Sequence, residues 1–180
     1  MTTETNKSRS DNFVSYVISK ISSDLGARAA FSRGDNPDTA SITWEYLVSW
    51  CDLANSRERN AYALIAAAIA KGRITQNVTG KNIGRCLGII SRREHNGDVS
   101  DNQSPDQRRL RRLLACDTSE ELTEVLRSVL SYLLSKDVAK QLDYAKTLDD
   151  VLFWNERVKI NWCKGFFEQN TQETEAKEDL

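Results

Sequence analysis

Residues 57–71 read RERNAYALIAAAIAK, an alanine-rich stretch that favours helix strongly and is closed by Gly72. Its apolar run, Leu64–Ala70, falls far short of the roughly 18 residues that a membrane span requires. The whole chain holds only 8 Gly and 2 Pro among 180 residues, too few for an all-β protein with a turn every ten residues or so. With 39% hydrophobic and 28% charged residues it has the material for a core, so an all-α fold is predicted.

Helical spacing recurs on both sides of that stretch. Phe13, Val14, Val17, Ile18, Ile21 and Leu25 predict a first amphipathic helix, and ARAAFSRG a short one ended by Gly34 and Pro37. Thr43–Cys51 reads as helix with some strand character from its aromatics, and 81–90 as a weaker helix. Thr118 and Glu121 have capping-box spacing ahead of a core face of Leu122, Val125, Leu126, Val129, Leu130 and Leu133. Val138, Leu142, Ala145, Leu148, Val151 and Leu152 predict the next helix, and Val158, Trp162 and Phe166 the last. The polar stretch 94–106 (EHNGDVSDNQSPD) reads as a linker. Two helical lobes are therefore expected, residues 11–93 and a C-terminal bundle at 107–169, with disordered tails at 1–10 and 170–180.

Several chemistries lack the residues they need. Cys51, Cys86, Cys116 and Cys163 form no CxxC pair and read as free thiols. His95 is the one histidine and sits in a polar stretch, against a His-based triad or multi-His metal site. The loop KGRITQNVTGKNIGR lacks the GK[ST] ending of a phosphate-binding P-loop. Asp149 and Asp150 could be drafted as nuclease carboxylates, but as neighbours they diverge by about 100° on a helix, and Asp149 can pair with Lys146. No cofactor, metal or catalytic residue is expected. The polar start MTTETNKSRS has no apolar core of a secretory signal, so the expected location is the cytoplasm.

Charge is informative once it is divided along the chain. The net charge is −1, yet residues 57–112 carry 12 basic and 5 acidic side chains, a net of +7. The segments before and after carry −2 and −6. Binding responds to local potential, so the middle third is a candidate surface for an anionic partner. Its densest point is QRRLRRLL at 107–114. Helical geometry puts its three leucines on one side and Arg108, Arg109, Arg111 and Arg112 on the other. Nearby Asp106 and Asp117 offset little of the repulsion among these four arginines, whose planar forks suit phosphate oxygens. Arg28 and Arg33 flank the short helix, and Lys71, Arg73, Lys81 and Arg85 surround the glycine-bearing loop, as further phosphate contacts. Trp44, Trp50, Trp154 and Trp162 are of a type that stacks on bases, although their neighbours are apolar and Trp162 reads as core.

The run RRLRRLLACDTSEELTEVLRSVLSYLL, followed by LDYAKTLDDVLFWNERVKINWCKGFFE, resembles the C-terminal helices of the CasB family, the small subunit of the type I-E CRISPR Cascade. RAAFSRGDNP and NIGRCLG resemble its N-terminal segments, so the likeness spans about residues 13–168. It departs at Phe31-Ser32-Arg33, where members often carry a further arginine, and at Asn82-Ile83, where they often carry serine before leucine. The resemblance implies an all-α, two-lobed, non-catalytic subunit present in two copies beside CasA and CasC. It implies backbone contacts to crRNA, target DNA and the displaced strand. Those contacts map onto Arg28, Arg33, Lys71, Arg85, Arg108, Arg109, Arg111 and Arg112. About 6 to 8 contacts to one strand imply a salt slope of about −4 to −6. A helix-turn-helix regulator with the arginine helix in a major groove stays open as an alternative, as does a metal-dependent nuclease.

Overall fold

The computed structural model describes residues 8–94 and 104–168. Among them are nine α-helices and no strand. In order they are α1 (Arg9–Ser23), α2 (Leu25–Arg33), α3 (Trp44–Leu47), α4 (Ser56–Gly72), α5 (Ile83–Glu94), α6 (Pro105–Leu114), α7 (Ser119–Ser135), α8 (Tyr144–Leu152) and α9 (Glu156–Phe167). Short 3-10 segments lie at Ala40–Thr43 and Ala139–Gln141.

The alanine-rich helix α4 is central. Every residue from Ala61 to Ala70 is buried, because small side chains let α1, α2, α7 and α8 all approach it. The helix runs one residue further than expected: Gly72 is still helical, and Arg73 takes the left-handed cap at φ 48°. A Cβ on Gly72 would press on Leu134 at 2.7 Å, so close packing with α7 is what this glycine permits.

Helices from before and after residues 95–103 interleave: α5 packs on α9 and α6, α1 on α8, and α4 on α7 and α8. Their buried apolar residues, from Phe13 to Phe166, form one cluster. Most of the stretch read as a linker, with His95, lies outside the described residues, as do residues 1–7 and 169–180. Ser8–Ser10, assigned to the tail on sequence, are ordered into α1. Ser8 caps it reciprocally with Asp11, Arg9 donates to the Trp50 carbonyl at 2.7 Å, and the buried Ser10 hydroxyl donates to Asp149.

Three local expectations are corrected. Thr43–Cys51 is a 3-10 turn running into the four-residue α3, then an irregular turn. The helix expected through Val138–Leu152 is broken at Leu142, which is extended at ψ 137°, and Asp143 caps a shorter α8. At α7, Thr118 accepts from Glu121 N at 3.2 Å, but the Glu121 carboxylate turns to Asp117 N at 2.9 Å, so the box is closed on one side only.

Candidate nucleic-acid interface

Helix α6 starts at the Ser104 cap, whose hydroxyl accepts from Gln107 N at 3.1 Å, with Pro105 in the first turn, where its missing N–H costs nothing. Leu110 and Leu113 are buried and Leu114 is half-buried, so the apolar side docks as expected. The opposite side presents Arg108, Arg111 and Arg112, all exposed. Among the described residues no carboxylate forms an ion pair with Arg108 or Arg112, which stand one turn apart. Like charges at that spacing destabilise a helix unless something else offsets them.

Arg109 corrects the expectation that all four guanidiniums face solvent. It is half-buried, bonds Asp106 at 3.2 Å and lies 3.8 Å from the ring centroid of Tyr132 on α7. Asp106, read as an offset of little weight, is fully buried. Burial, then hydrogen bonding to Asp106, holds the Tyr132 phenol well above its ordinary range. Asp106, Arg109 and Tyr132 thus bolt α6 to α7 and leave the other three arginines presented on a fixed support.

The remaining expected residues separate into two places. Arg28, half-buried, and Arg33, exposed, lie on α2, which packs on α1 and α4 rather than on the elements that hold α6. Lys71 joins that region by pairing with Asp35 at 2.5 Å, just beyond the end of α2, so part of its charge is spent inside the protein. Arg85 is elsewhere, half-buried at the α5–α9 contact and 3.8 Å from Glu168. Basic residues that went unremarked include Arg59 on α4, exposed Arg93 on α5, and Arg127 on α7, whose buried Nε has no hydrogen-bond partner among the described residues. Arg127 is an isolated cation on α7, with Thr123, Glu124, Leu130 and Ser131 one turn away, so local sequence carried no sign of it.

The glycine-bearing loop is clamped from α8. The buried Asp143 carboxylate accepts from Asn77 Nδ2 at 3.1 Å, Gly80 N at 3.0 Å and Lys146 N at 3.0 Å. Tyr144 N returns a bond to Asn77 Oδ1 at 2.8 Å. Replacing Asp143 with Ala removes a helix cap and orphans two loop donors, so it is expected to cost about 2 kcal/mol. Hydrogen exchange should speed up in residues 75–81 more than in α7; a uniform change would count against the clamp.

The other candidate chemistry dissolves in the packing. Lys146 pairs with Asp150 rather than with Asp149, and Asp149 accepts from Ser10. Asp150 also accepts from Trp162 Nε1 at 2.7 Å, and its burial pushes its carboxyl above the usual range. No group of three His, Cys, Asp or Glu among the described residues could hold a metal ion. The cysteines are free thiols: Cys51, Cys86 and Cys116 are buried and Cys163 is half-buried, and burial pushes Cys86 up to about 12. No helix among the described residues is long and apolar enough to cross a membrane.

The family model for CRISPR-associated protein Cse2 matches residues 27–167. The crystal structure of CasB from Thermus thermophilus superposes with a TM-score of 0.63 at 22% identity, covering 89% of this chain and 99% of that one. CasB from Thermobifida fusca gives 0.61 at 17% identity, with the same coverage. No curated protein matches the chain. At such identities the two structures establish likeness of fold, and the family model supplies the assignment.

Proposed function

Because the chain belongs to the CRISPR-associated Cse2 family, and so is a subunit of the type I-E Cascade of CRISPR defence, we propose that it grips the sugar–phosphate backbone of nucleic acid without reading sequence. In that role it stabilises the crRNA–target R-loop and the displaced strand, takes no catalytic step, and sits against CasA, CasC and a second copy of itself. Division of labour between base pairing and protein electrostatics is known from another RNA-guided class.

The observation that carries this reading is the exposed pair Arg108 and Arg112, one turn apart, without an ion-pair partner among the described residues. Arg111 lies beside them on α6, and Arg28 and Arg33 on α2 form a second basic region; Lys71, Arg85 and Arg109 each lie within 4 Å of a carboxylate, which offsets part of their charge. A titration of the chain with random-sequence single-stranded DNA at several salt concentrations tests it. Replacing Arg108 and Arg112 together with Ala is expected to weaken binding about tenfold at low salt. The log–log salt slope should become shallower by about 1.4, the value for two lost phosphate contacts. Thermal stability should hold or rise, because a repulsion is removed. Unchanged affinity in the double variant would remove α6 from the interface, and marked preference for one duplex sequence would favour a helix-turn-helix reader instead.

A further inference from the structure

Of the four tryptophans, three are committed to the interior. Trp162 is fully buried and bonded to Asp150, Trp154 donates to the Cys116 carbonyl at 2.9 Å, and Trp50 packs on Phe13 and Tyr16 with ring centroids 5.4 and 5.2 Å away. Trp44 differs. It is 41% exposed, and its indole N–H has no partner among the described residues. It lines a cleft of about 390 Å³ where the α2–α3 connection meets α4 and α7, a size within the range of small-molecule sites.

The other walls have a consistent chemistry. Arg59 has one Nη tied to the Leu53 carbonyl at 2.5 Å, and its guanidinium lies 5.6 Å from the Trp44 ring centroid. Arg127 enters from α7 with its buried Nε unbonded among the described residues. A buried donor left without an acceptor is costly unless something supplies one. Asn60 and Ser41 add exposed amide and hydroxyl groups. Asp35, the one carboxylate lining the cleft, is held by Lys71 at 2.5 Å. The cleft therefore offers one planar aromatic surface, two guanidiniums and neutral hydrogen-bonding groups.

We infer that this cleft receives one unpaired nucleotide of a single strand, with the base laid against Trp44 and its phosphate held by Arg59 and Arg127. The inference deepens the backbone-binding reading and rests on it for the source of the strand. A phosphate alone would need only the guanidiniums; the exposed indole lining the same cleft is what selects for a base. Base–aromatic contact tolerates any sequence, which agrees with a sequence-blind partner.

Two titrations test it on the full chain. In the first, thymidine 5′-monophosphate is added at up to millimolar concentration while tryptophan fluorescence is followed, with ribose 5-phosphate as the baseless control. Quenching by the nucleotide alone, absent in Trp44→Leu and weakened several-fold in Arg127→Met, is expected. In the second, a labelled thymidylate 12-mer is compared with an abasic 12-mer. The unaltered protein should prefer the base-bearing strand about tenfold, within the range that one stacked base confers. Trp44→Leu should erase that preference and keep abasic binding, whereas Arg108→Ala with Arg112→Ala should weaken both strands equally.

Equal binding of the two strands together with no quenching overturns the inference and leaves the backbone reading standing. Quenching by the nucleotide with neither strand bound at low salt overturns the backbone reading and the strand inference together, leaving a site for free nucleotide only. A uridylate 12-mer that binds better than thymidylate assigns the nucleotide to the RNA, and the opposite order to DNA; either order upholds the cleft.

Discussion

Replacing Gly84 with alanine is expected to lower the unfolding midpoint by about 6–12 °C, from a cost of about 3 kcal/mol in a chain of this size. Helices α5 and α9 approach so closely that a Cβ on Gly84 would fall on the carbonyl oxygen of Trp162. One on Gly88, a turn later, would strike the carbonyl oxygen of Phe166. Both obstacles are backbone atoms of a helix, so no side-chain rotation relieves them and α9 itself must shift. The contact is tightened from the other side. A Cβ on Gly165 would reach Asn82 Oδ1 at 2.5 Å; Asn82 Nδ2 bonds the Asn161 carbonyl at 3.0 Å, and Arg92 bonds that of Phe166 at 3.1 Å. Gly88→Ala should cost somewhat less, and the double variant less than the two single costs combined, because one displacement of α9 relieves both clashes. Gly26→Ala is the control. That glycine is exposed in α2, where a Cβ would meet only the Asp24 side chain at 3.2 Å, so alanine should change stability by less than about 1 kcal/mol. Equal midpoints for Gly84→Ala and Gly26→Ala would show that α5 and α9 do not meet this closely.

Trp162→Phe is expected to destabilise by about 3 kcal/mol, combining a cavity with the loss of a donor to a buried carboxylate. The size of the loss should depend on pH. Desolvation raises the Asp150 carboxyl above its ordinary value of 3.8 and outweighs the hydrogen bonds from Lys146 and Trp162 that lower it. A carboxyl raised in the folded state favours folding while protonated. Its contribution is complete below the unfolded value and declines as pH rises through the folded one. Removing the indole N–H raises the folded value further and makes the ionised form costlier. The gap between variant and unaltered protein should therefore be wider at pH 7 than near pH 4, as read by denaturant midpoints at each pH. Adding Asp150→Asn, which keeps an acceptor and cannot ionise, should flatten that dependence. A gap indifferent to pH would mean that the cavity alone sets the cost.

Both effects arise from contacts between residues far apart in the chain. Gly84 and Gly88 sit in NIGRCLG, recognisable as a family-like segment, but a spacing of four says nothing about which carbonyls will lie against them. Asp150 was left without a partner on sequence, since Lys146 read as the partner of Asp149 and nothing local sets Trp162 beside it. It is buried, with the Trp162 indole of α9 donating to it, a partner twelve residues further along the chain. Asp106 was discounted for the same reason, and its burial with Arg109 and Tyr132 depends on α7, a dozen or more residues away in the chain. The candidate cleft was invisible as a cleft. Trp44, Arg59 and Arg127 come from three elements, and only Trp44 had been noticed.

What the sequence determined by itself was local. Apolar residues three and four apart, the N-cap at Thr118, and alanine enrichment specify helices through contacts within one or two turns, which any neighbouring fold leaves intact. The exposed arginines of α6 belong to this class, since burying Leu110 and Leu113 obliges Arg108, Arg111 and Arg112 to face outward. Tertiary structure decided the rest: that α5 lies on α9 and α1 on α8, that one arginine in four is withdrawn from the surface, and that one tryptophan in four is left upon it. Those outcomes turn on which helices can approach closely enough to exclude water. That is a property of pairs of surfaces far apart in the chain, and no single stretch of sequence contains it.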